Sequence, residues 1–277
     1  MTKGRLIVCA TPIGNLGDVS DRLRTSLASA DVIYAEDTRR TAKLLSRLAI
    51  SVPLRSLFVG NEMVRSDELV KAVADGQSVA IVSDAGMPTI SDPGATAIRA
   101  VREAGHVVVA VPGPSAVTMA VAVSGFGGDR FVFEGFLPRR GKERADRLAA
   151  IRLEPRATVI FASPKRLARD LADLEGVCGP SREVAVTREL TKLHEEVWVG
   201  TLGDAVQKWK EEVRGEVTLV LGPVDLGGVS LDDAVKAAQA LVDGGVPISE
   251  AARSVASDAG VSRRSLYQRL LEGQGSS

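Results

Sequence analysis

Apolar runs of strand length alternate with helix-length amphipathic stretches through the first 112 residues, and this alternation constrains the fold more than any other feature. Leu6 to Ala10, Val32 to Ala35, Val79 to Val82 and Val107 to Val111 read as buried strands. Between them, Ser20 to Ser29, Thr41 to Ala49, Glu62 to Ala74 and Gly94 to Ala104 carry helical spacing, with Gly76 and Gly105 as stop signals. Strand-helix alternation implies a largely parallel sheet covered by helices on its faces. In such a sheet the loops that follow the strands all emerge at one edge, where open α/β sheets bind ligands.

Four loops meet that description: Thr11 to Gly17, Glu36 to Arg40, Ser83 to Gly94 and Pro112 to Ser115. The third is the most informative, since Ser83-Asp-Ala-Gly-Met-Pro-Thr-Ile-Ser-Asp-Pro-Gly94 holds two each of Gly, Pro, Asp and Ser in twelve residues. That composition forbids a regular element and shapes a stiff binding loop. The first loop has Gly14-x-x-Gly17 but lacks dinucleotide-fold glycine spacing, and Pro12 removes a backbone donor that a phosphate cradle would use. A nicotinamide, flavin or P-loop nucleotide site is therefore not expected.

Beyond Ala116 the pattern changes. Strand candidates at Phe131 to Glu134, Thr158 to Ala162, Glu183 to Thr187, Glu196 to Thr201 and Glu216 to Leu221 are only partly separated by helices, which predicts a mixed sheet. The expected organisation is an N-terminal α/β domain over 1–115, a C-terminal α/β domain over 116–225 and a helical tail over 226–277. Within the tail, Ile248 to Gly260 followed by Val261 to Leu271 outlines a helix-turn-helix, which serves either RNA binding or docking as a hairpin.

Charge and cysteine usage narrow the function classes. Thirty-five basic residues balance 35 acidic ones, so a nucleic-acid partner must be met by local patches. Two cysteines and two well-separated histidines offer no metal-ligand spacing, so no metal site is expected. No signal peptide or membrane-spanning run is visible, and a cytoplasmic, non-membrane protein is expected.

The motifs then resemble a family. Ala10 to Gly17, Ala35 to Arg39, Asn61-Glu62, Ser83 to Gly94, Pro112 to Ala116, Glu134 to Pro138 and Arg188 to Lys192 occur in the order seen in the ribosomal RNA small subunit methyltransferase I family of the tetrapyrrole methylase superfamily. The resemblance spans residues 4 to 222. Met87 and Thr89 stand where Thr and Leu are commoner, and Ala162-Ser-Pro-Lys165 replaces a usual Glu-x-Pro-His. It implies a two-domain tetrapyrrole-methylase-like fold and a homodimer. It also implies S-adenosylmethionine-dependent methylation of a cytidine ribose 2′-oxygen in 16S ribosomal RNA, with the small ribosomal subunit as the expected partner.

The resemblance assigns Pro12, Asp84, Met87, Ser115, Ala116, Phe161 and Thr218 to the cofactor, and the small Ala85 and Gly86 permit its close approach. Phe161 and Thr218 read equally well as ordinary strand packing. A ribose hydroxyl is a poor nucleophile, so a general base is sought among Glu36, Asp37, Glu62 and Asp92. Glu36 or Asp37 could instead cap the next helix, and Asp92 before Pro93 reads first as a helix cap. Glu36 and Glu62 are therefore the leading catalytic candidates, with Arg39 aligning the substrate. RNA contacts are expected from Arg39, Arg40, Arg139, Arg140, Lys142, Arg188 and Lys192, the segment 138–147 carrying five basic and two acidic residues. A tetrapyrrole-carbon methylase and a non-catalytic RNA-binding protein are the competing readings. The first would call for an apolar trough in place of basic patches, and the second leaves the four loops without a use.

Overall fold

The computed structural model describes residues 4–126, 130–224, 231–259 and 261–274. The start of the tail and the turn at Gly260 fall outside these residues.

The first sheet contains β1 (Arg5–Cys9), β2 (Val32–Ala35), β3 (Leu54–Ser56), β4 (Ser78–Val82) and β5 (Val107–Val111), in the order β3-β2-β4-β1-β5. Every neighbouring pair is parallel. β3 is absent from the sequence expectation because it is three residues long and follows Pro53, which leaves no periodic run to detect. Helices α1 (Asp21–Ala28), α2 (Thr38–Arg47), α3 (Glu62–Ala74) and α4 (Ala95–Glu103) link the strands.

Two-residue alternation sorts the strand side chains between two cores. Ile7, Cys9, Ile33, Ala35, Ala80 and Val82 pack with Leu23 and Leu27 of α1 and with Leu45 of α2. Leu6, Val32, Tyr34, Val79 and Ile81 pack on the other face with Leu69 and Val73 of α3 and with Ala97 and Val101 of α4. Burial pushes the Cys9 thiol up to about 12, which leaves it an inert core residue.

The second sheet contains β6 (Phe131–Phe136), β7 (Ala157–Ala162), β8 (Glu183–Arg188), β9 (Glu196–Thr201) and β10 (Val217–Leu221), ordered β6-β7-β10-β8-β9. It is mixed: β6 and β7 are parallel and the other pairs antiparallel. One face is covered by α6 (Gly141–Leu153), α7 (Leu167–Cys178) and α8 (Leu202–Lys208). The other receives α5 (Ala116–Ser124), whose Val117, Ala120 and Val121 share a cluster with Ile13 and Ala85 from the first-sheet loops. That cluster ties the two sheets together within one compact unit, Met1–Pro223.

Val224–Ser277 forms a separate unit. It contains α9 (Leu231–Asp243), α10 (Ile248–Ala259) and α11 (Arg263–Gln274) around Ala234, Ala238, Ala252, Ala256, Leu266 and Leu270. Ser262 starts α11, its hydroxyl accepting from the Ser265 N–H at 3.3 Å. Among the described residues no helix is long and apolar enough to cross a membrane, and no group of three metal-ligating side chains occurs.

Candidate active site

The site follows from the topology of the first sheet. β1 and β4 are neighbours, yet the chain leaves β1 toward α1 on one face and β4 toward α4 on the other. Their loops part at this switch point and open a crevice beyond the strand ends. Thr11 and Gly86 staple the two loops together. The Thr11 N–H donates to the Gly86 carbonyl at 2.9 Å, the Gly86 N–H returns to the Thr11 carbonyl at 3.1 Å, and the Thr11 hydroxyl reaches the Ser83 carbonyl at 3.2 Å. Gly86 has φ +78°, and a Cβ there would meet Ile13 Cγ2 at 3.4 Å and the Pro114 carbonyl at 3.6 Å. These are ordinary contact distances, so the cost of a small side chain at Gly86 lies in its left-handed backbone, while a larger one would also press on the first and fourth loops.

Further along, Thr89 and Ser91 hold φ values of +75° and +65°. Left-handed backbone at non-glycine residues costs on the order of 1–3 kcal/mol each and persists where the surroundings enforce it.

The crevice is a cavity of about 470 Å³. Asp84, Ala85, Gly86, Met87, Ser115, Ala116, Phe161 and Thr218 all line it, so the structure gathers eight of the nine anticipated cofactor residues around one space. Pro12 does not line it, although its neighbour Ile13 does. Ile90, Phe136, Ser163, Pro164 and Glu216 also line it and carried no assigned role from the sequence. Phe136 lay inside a recognised motif, but an unbroken strand would have turned it away. The glycine before it was the available signal of a bulge.

The carboxylates sort differently from expectation. Asp84 is tied down, its Oδ1 accepting the Asp37 N–H and its Oδ2 pairing with Arg40 Nη1, each at 3.0 Å. Asp37 caps α2, accepting the Arg39 N–H at 2.8 Å. Glu36 faces the cavity, and burial, then the charge of Asp84, raises its pKa. Asp92 also faces the cavity and is pushed up to about 6, chiefly by burial and next by the charge of Glu36, against a hydrogen bond with Ser83.

Two expectations are thereby exchanged. Asp92, read first as the cap of α4, points into the cavity instead. Glu62, read as a catalytic candidate, lies outside the cavity lining and does the capping: its Oε1 accepts the Gly94 N–H at 3.0 Å and the Thr96 N–H at 2.7 Å. The two helices run side by side at this end, so a carboxylate from α3 reaches the free N–H groups of α4.

Pairing also sorts the basic residues. Arg40 lines the cavity, while the Arg39 side chain stands 89% exposed with only Asp37 at 3.5 Å. Arg139, Arg140 and Lys142 are exposed at the start of α6. Other members of that basic run are internal supports. Arg144 is buried between Asp170 at 2.8 Å and Asp173 at 2.6 Å, and Arg147 pairs with Glu134. Arg188 is engaged by Glu196 at 3.1 Å and by the Arg214 carbonyl at 3.2 Å. Lys192 sits between Glu189 at 2.8 Å and Glu216 at 3.1 Å, with its stem over Gly14. These two side chains brace their loops, and their charges are answered within the protein.

The geometry has the character of a small-molecule site whose wall carries Glu36, Asp84, Asp92 and Glu216, with Arg40 as its one cation among the described lining residues. Residues 5–206 match the family of Tetrapyrrole (Corrin/Porphyrin) Methylases. A uroporphyrin-III C-methyltransferase from Thermus thermophilus, solved complexed with S-adenyl homocysteine, superposes with a TM-score of 0.56 at 18% identity, over 79% of this chain and 97% of that one. That likeness shows the fold.

Two curated relatives are each named Ribosomal RNA small subunit methyltransferase I. The one from Thermotoga maritima is 48% identical over 79% of this chain and 98% of its own length. The one from Mycobacterium tuberculosis is 42% identical over 98% and 96%. The chain belongs to the ribosomal RNA small subunit methyltransferase I family.

Proposed function

We propose that this protein methylates the ribose 2′-oxygen of a cytidine in 16S ribosomal RNA, using S-adenosylmethionine. The carrying observation is the acid-walled cavity at the switch point of the first sheet, closed by Phe161 and Thr218 from the second. Its volume falls in the ordinary range for small-molecule pockets. Its surplus of carboxylates suits a cofactor that bears a sulfonium and an ammonium charge. In this reading Asp84, Ala85, Gly86 and Met87 line one side of the cofactor slot and Ser115, Ala116, Phe161 and Thr218 the other. Bound there, S-adenosylmethionine supplies an electrophilic methyl group on a sulfonium leaving group.

The remaining work belongs to the chain. In-line displacement requires the nucleophilic oxygen to be held on the axis of the breaking bond, and such positioning is worth several kcal/mol. Glu36 and Asp92 act as a coupled carboxylate pair that accepts or orients the ribose hydroxyl proton, a role worth about 10²- to 10⁴-fold. Arg39, Arg40, Arg139, Arg140 and Lys142 hold phosphates of the incoming RNA. The protein acts in the cytoplasm on RNA within the small ribosomal subunit. It works as a homodimer, consistent with Phe58, Val59, Met63 and Val64 standing 49%, 82%, 80% and 69% exposed along one stretch.

Labelled S-adenosylmethionine and small subunits lacking the modification test the reading. Label should appear in the RNA at a 2′-O-methylcytidine, and transfer to a tetrapyrrole carbon alone would overturn it.

A further inference from the structure

The second sheet presents a half-exposed phenylalanine at the cavity, and the backbone is bent to put it there. β6 pairs Phe133 with Val159, and the next pair is Phe136 with Phe161, so two residues of β6 oppose the single Ile160. Without that insertion, strand alternation would send Phe133 and Phe136 to opposite faces. The bulge, with Gly135 at φ +66°, returns Phe136 to the face of Phe133. Both rings then rest on Phe161, with centroids at 4.9 Å and 5.5 Å. Bulges beside active sites commonly re-aim a side chain in this way.

The outcome of this bend does not serve the core. Phe133 and Phe161 are packed into the cluster around α5, whereas Phe136 remains 52% exposed while lining the cavity. Ile90, on the cofactor-side loop, is likewise 40% exposed and lines the same cavity. An aromatic ring supported underneath and open above offers a flat apolar face to something planar. Exposed Arg139 and Arg140 follow three and four residues later. An aromatic face next to guanidinium groups is the pairing that holds single-stranded nucleic acid, bases on the ring and phosphates on the cations.

We propose that Phe136 is the stacking platform for the target nucleobase, which leaves its RNA stack so that its ribose can enter the cavity. This deepens the methyltransferase reading and rests on it. A ribose embedded in a stacked strand cannot reach a concave site between two sheets, so the nucleotide must be splayed out. The lost stacking must be replaced by another planar contact. Phe136 supplies that contact, and the Gly135 bulge is the device that aims it.

The test compares Phe136→Ala, Phe136→Leu and Phe136→Tyr. Loss of one base-aromatic stack should lower kcat/KM for small-subunit RNA by about 5- to 150-fold in the Ala and Leu variants. The Tyr variant should stay within about threefold of wild type. Affinity for S-adenosylmethionine alone, measured by calorimetry, should be unchanged in all three. If the Leu variant works as well as wild type, the ring acts by bulk and the proposal falls. A parallel loss of cofactor affinity would assign the ring to the cofactor and overturn it equally.

A second measurement does not depend on turnover. Phe136→Trp places an indole at the site, while the native Trp198 and Trp209 pack on each other 4.8 Å apart in the core on the opposite face of the sheet. Emission from the added indole, after subtraction of the wild-type signal, should be quenched by a short single-stranded RNA containing cytidine. Unchanged emission under saturating RNA would refute stacking. Quenching of the Phe136→Trp indole by RNA, together with a wild-type protein that transfers no methyl, would refute the functional reading and leave the platform standing.

Discussion

Removing the Glu62 carboxylate should destabilise the protein without touching the chemistry. Its Oε1 accepts two backbone N–H groups at the start of α4, at 3.0 Å and 2.7 Å. Loss of a helix cap costs about 0.5–2 kcal/mol, and loss of a negative charge at a helix N-terminus about 0.3–1 kcal/mol more. Glu62→Ala should therefore lose about 1–3 kcal/mol. For a unit of this size each kcal/mol lowers Tm by about 2–4 °C, so a drop of about 2–12 °C is expected. Glu62→Gln keeps an acceptor oxygen and loses only the charge, so its Tm should fall by about 1–4 °C. Because the cap anchors the end of the 83–94 loop, KM for S-adenosylmethionine should rise in both variants. Single-turnover rates at saturating cofactor should stay within about threefold of wild type. If Glu62→Gln lost 10²-fold or more in turnover at an unchanged Tm, the carboxylate would belong to the chemistry and this assignment would fail.

The cavity carboxylates make a signed prediction. With Asp92 raised to about 6 from an ordinary 3.8, turnover should climb as pH rises through about 6, and Asp92→Asn should abolish that climb. A folded-state pKa above the unfolded value means that stability is lost as pH rises from about 4 to about 6, so Asp92→Asn should gain Tm over wild type at pH 7 and not at pH 4. Glu36→Gln should shift the acidic limb of the rate profile downward in pH, since the Glu36 charge is one cause of the Asp92 shift. An unmoved limb would uncouple the pair. Replacing Arg139, Arg140 and Lys142 with Ala should reduce the salt slope of RNA binding by about 2–3 while leaving cofactor affinity intact. Arg144→Ala, by contrast, should strand buried Asp170 and cost about 3–5 kcal/mol, read as a large fall in Tm. Truncation after Leu226 should leave a folded, cofactor-binding body, because both sheets are complete by Leu221, and circular dichroism with calorimetry would reveal otherwise.

The legible parts of this protein are those governed by local chain physics. Strand-helix alternation placed four loops at one sheet edge, and their shared parallel direction made convergence of Asp84, Gly86, Ser115 and Ala116 foreseeable. Ownership of a carboxylate is another matter. Asp92 stands beside Pro93 and Gly94 and has the local signature of a cap, yet the cap arrives from Glu62, some thirty residues earlier, because α3 and α4 begin side by side. Once Glu62 satisfies those N–H groups, Asp92 is released to the cavity, where burial and the charge of Glu36 raise its pKa.

The same logic divides the cations. Arg139 and Arg144 lie in one basic run, but Arg144 falls on the face of α6 toward α7 and meets Asp170, while Arg139 precedes the helix and meets solvent. A net charge of zero thus conceals two populations of arginine, one bracing the second sheet and its helices and one exposed to solvent. Phe136 shows the limit most sharply. Period-two reasoning assigns it to the face away from Phe133, and a single inserted residue at Gly135 reverses that assignment. The cavity residues that the sequence hides are those where tertiary contacts overrule the local rule, since a site needs side chains that the core does not claim.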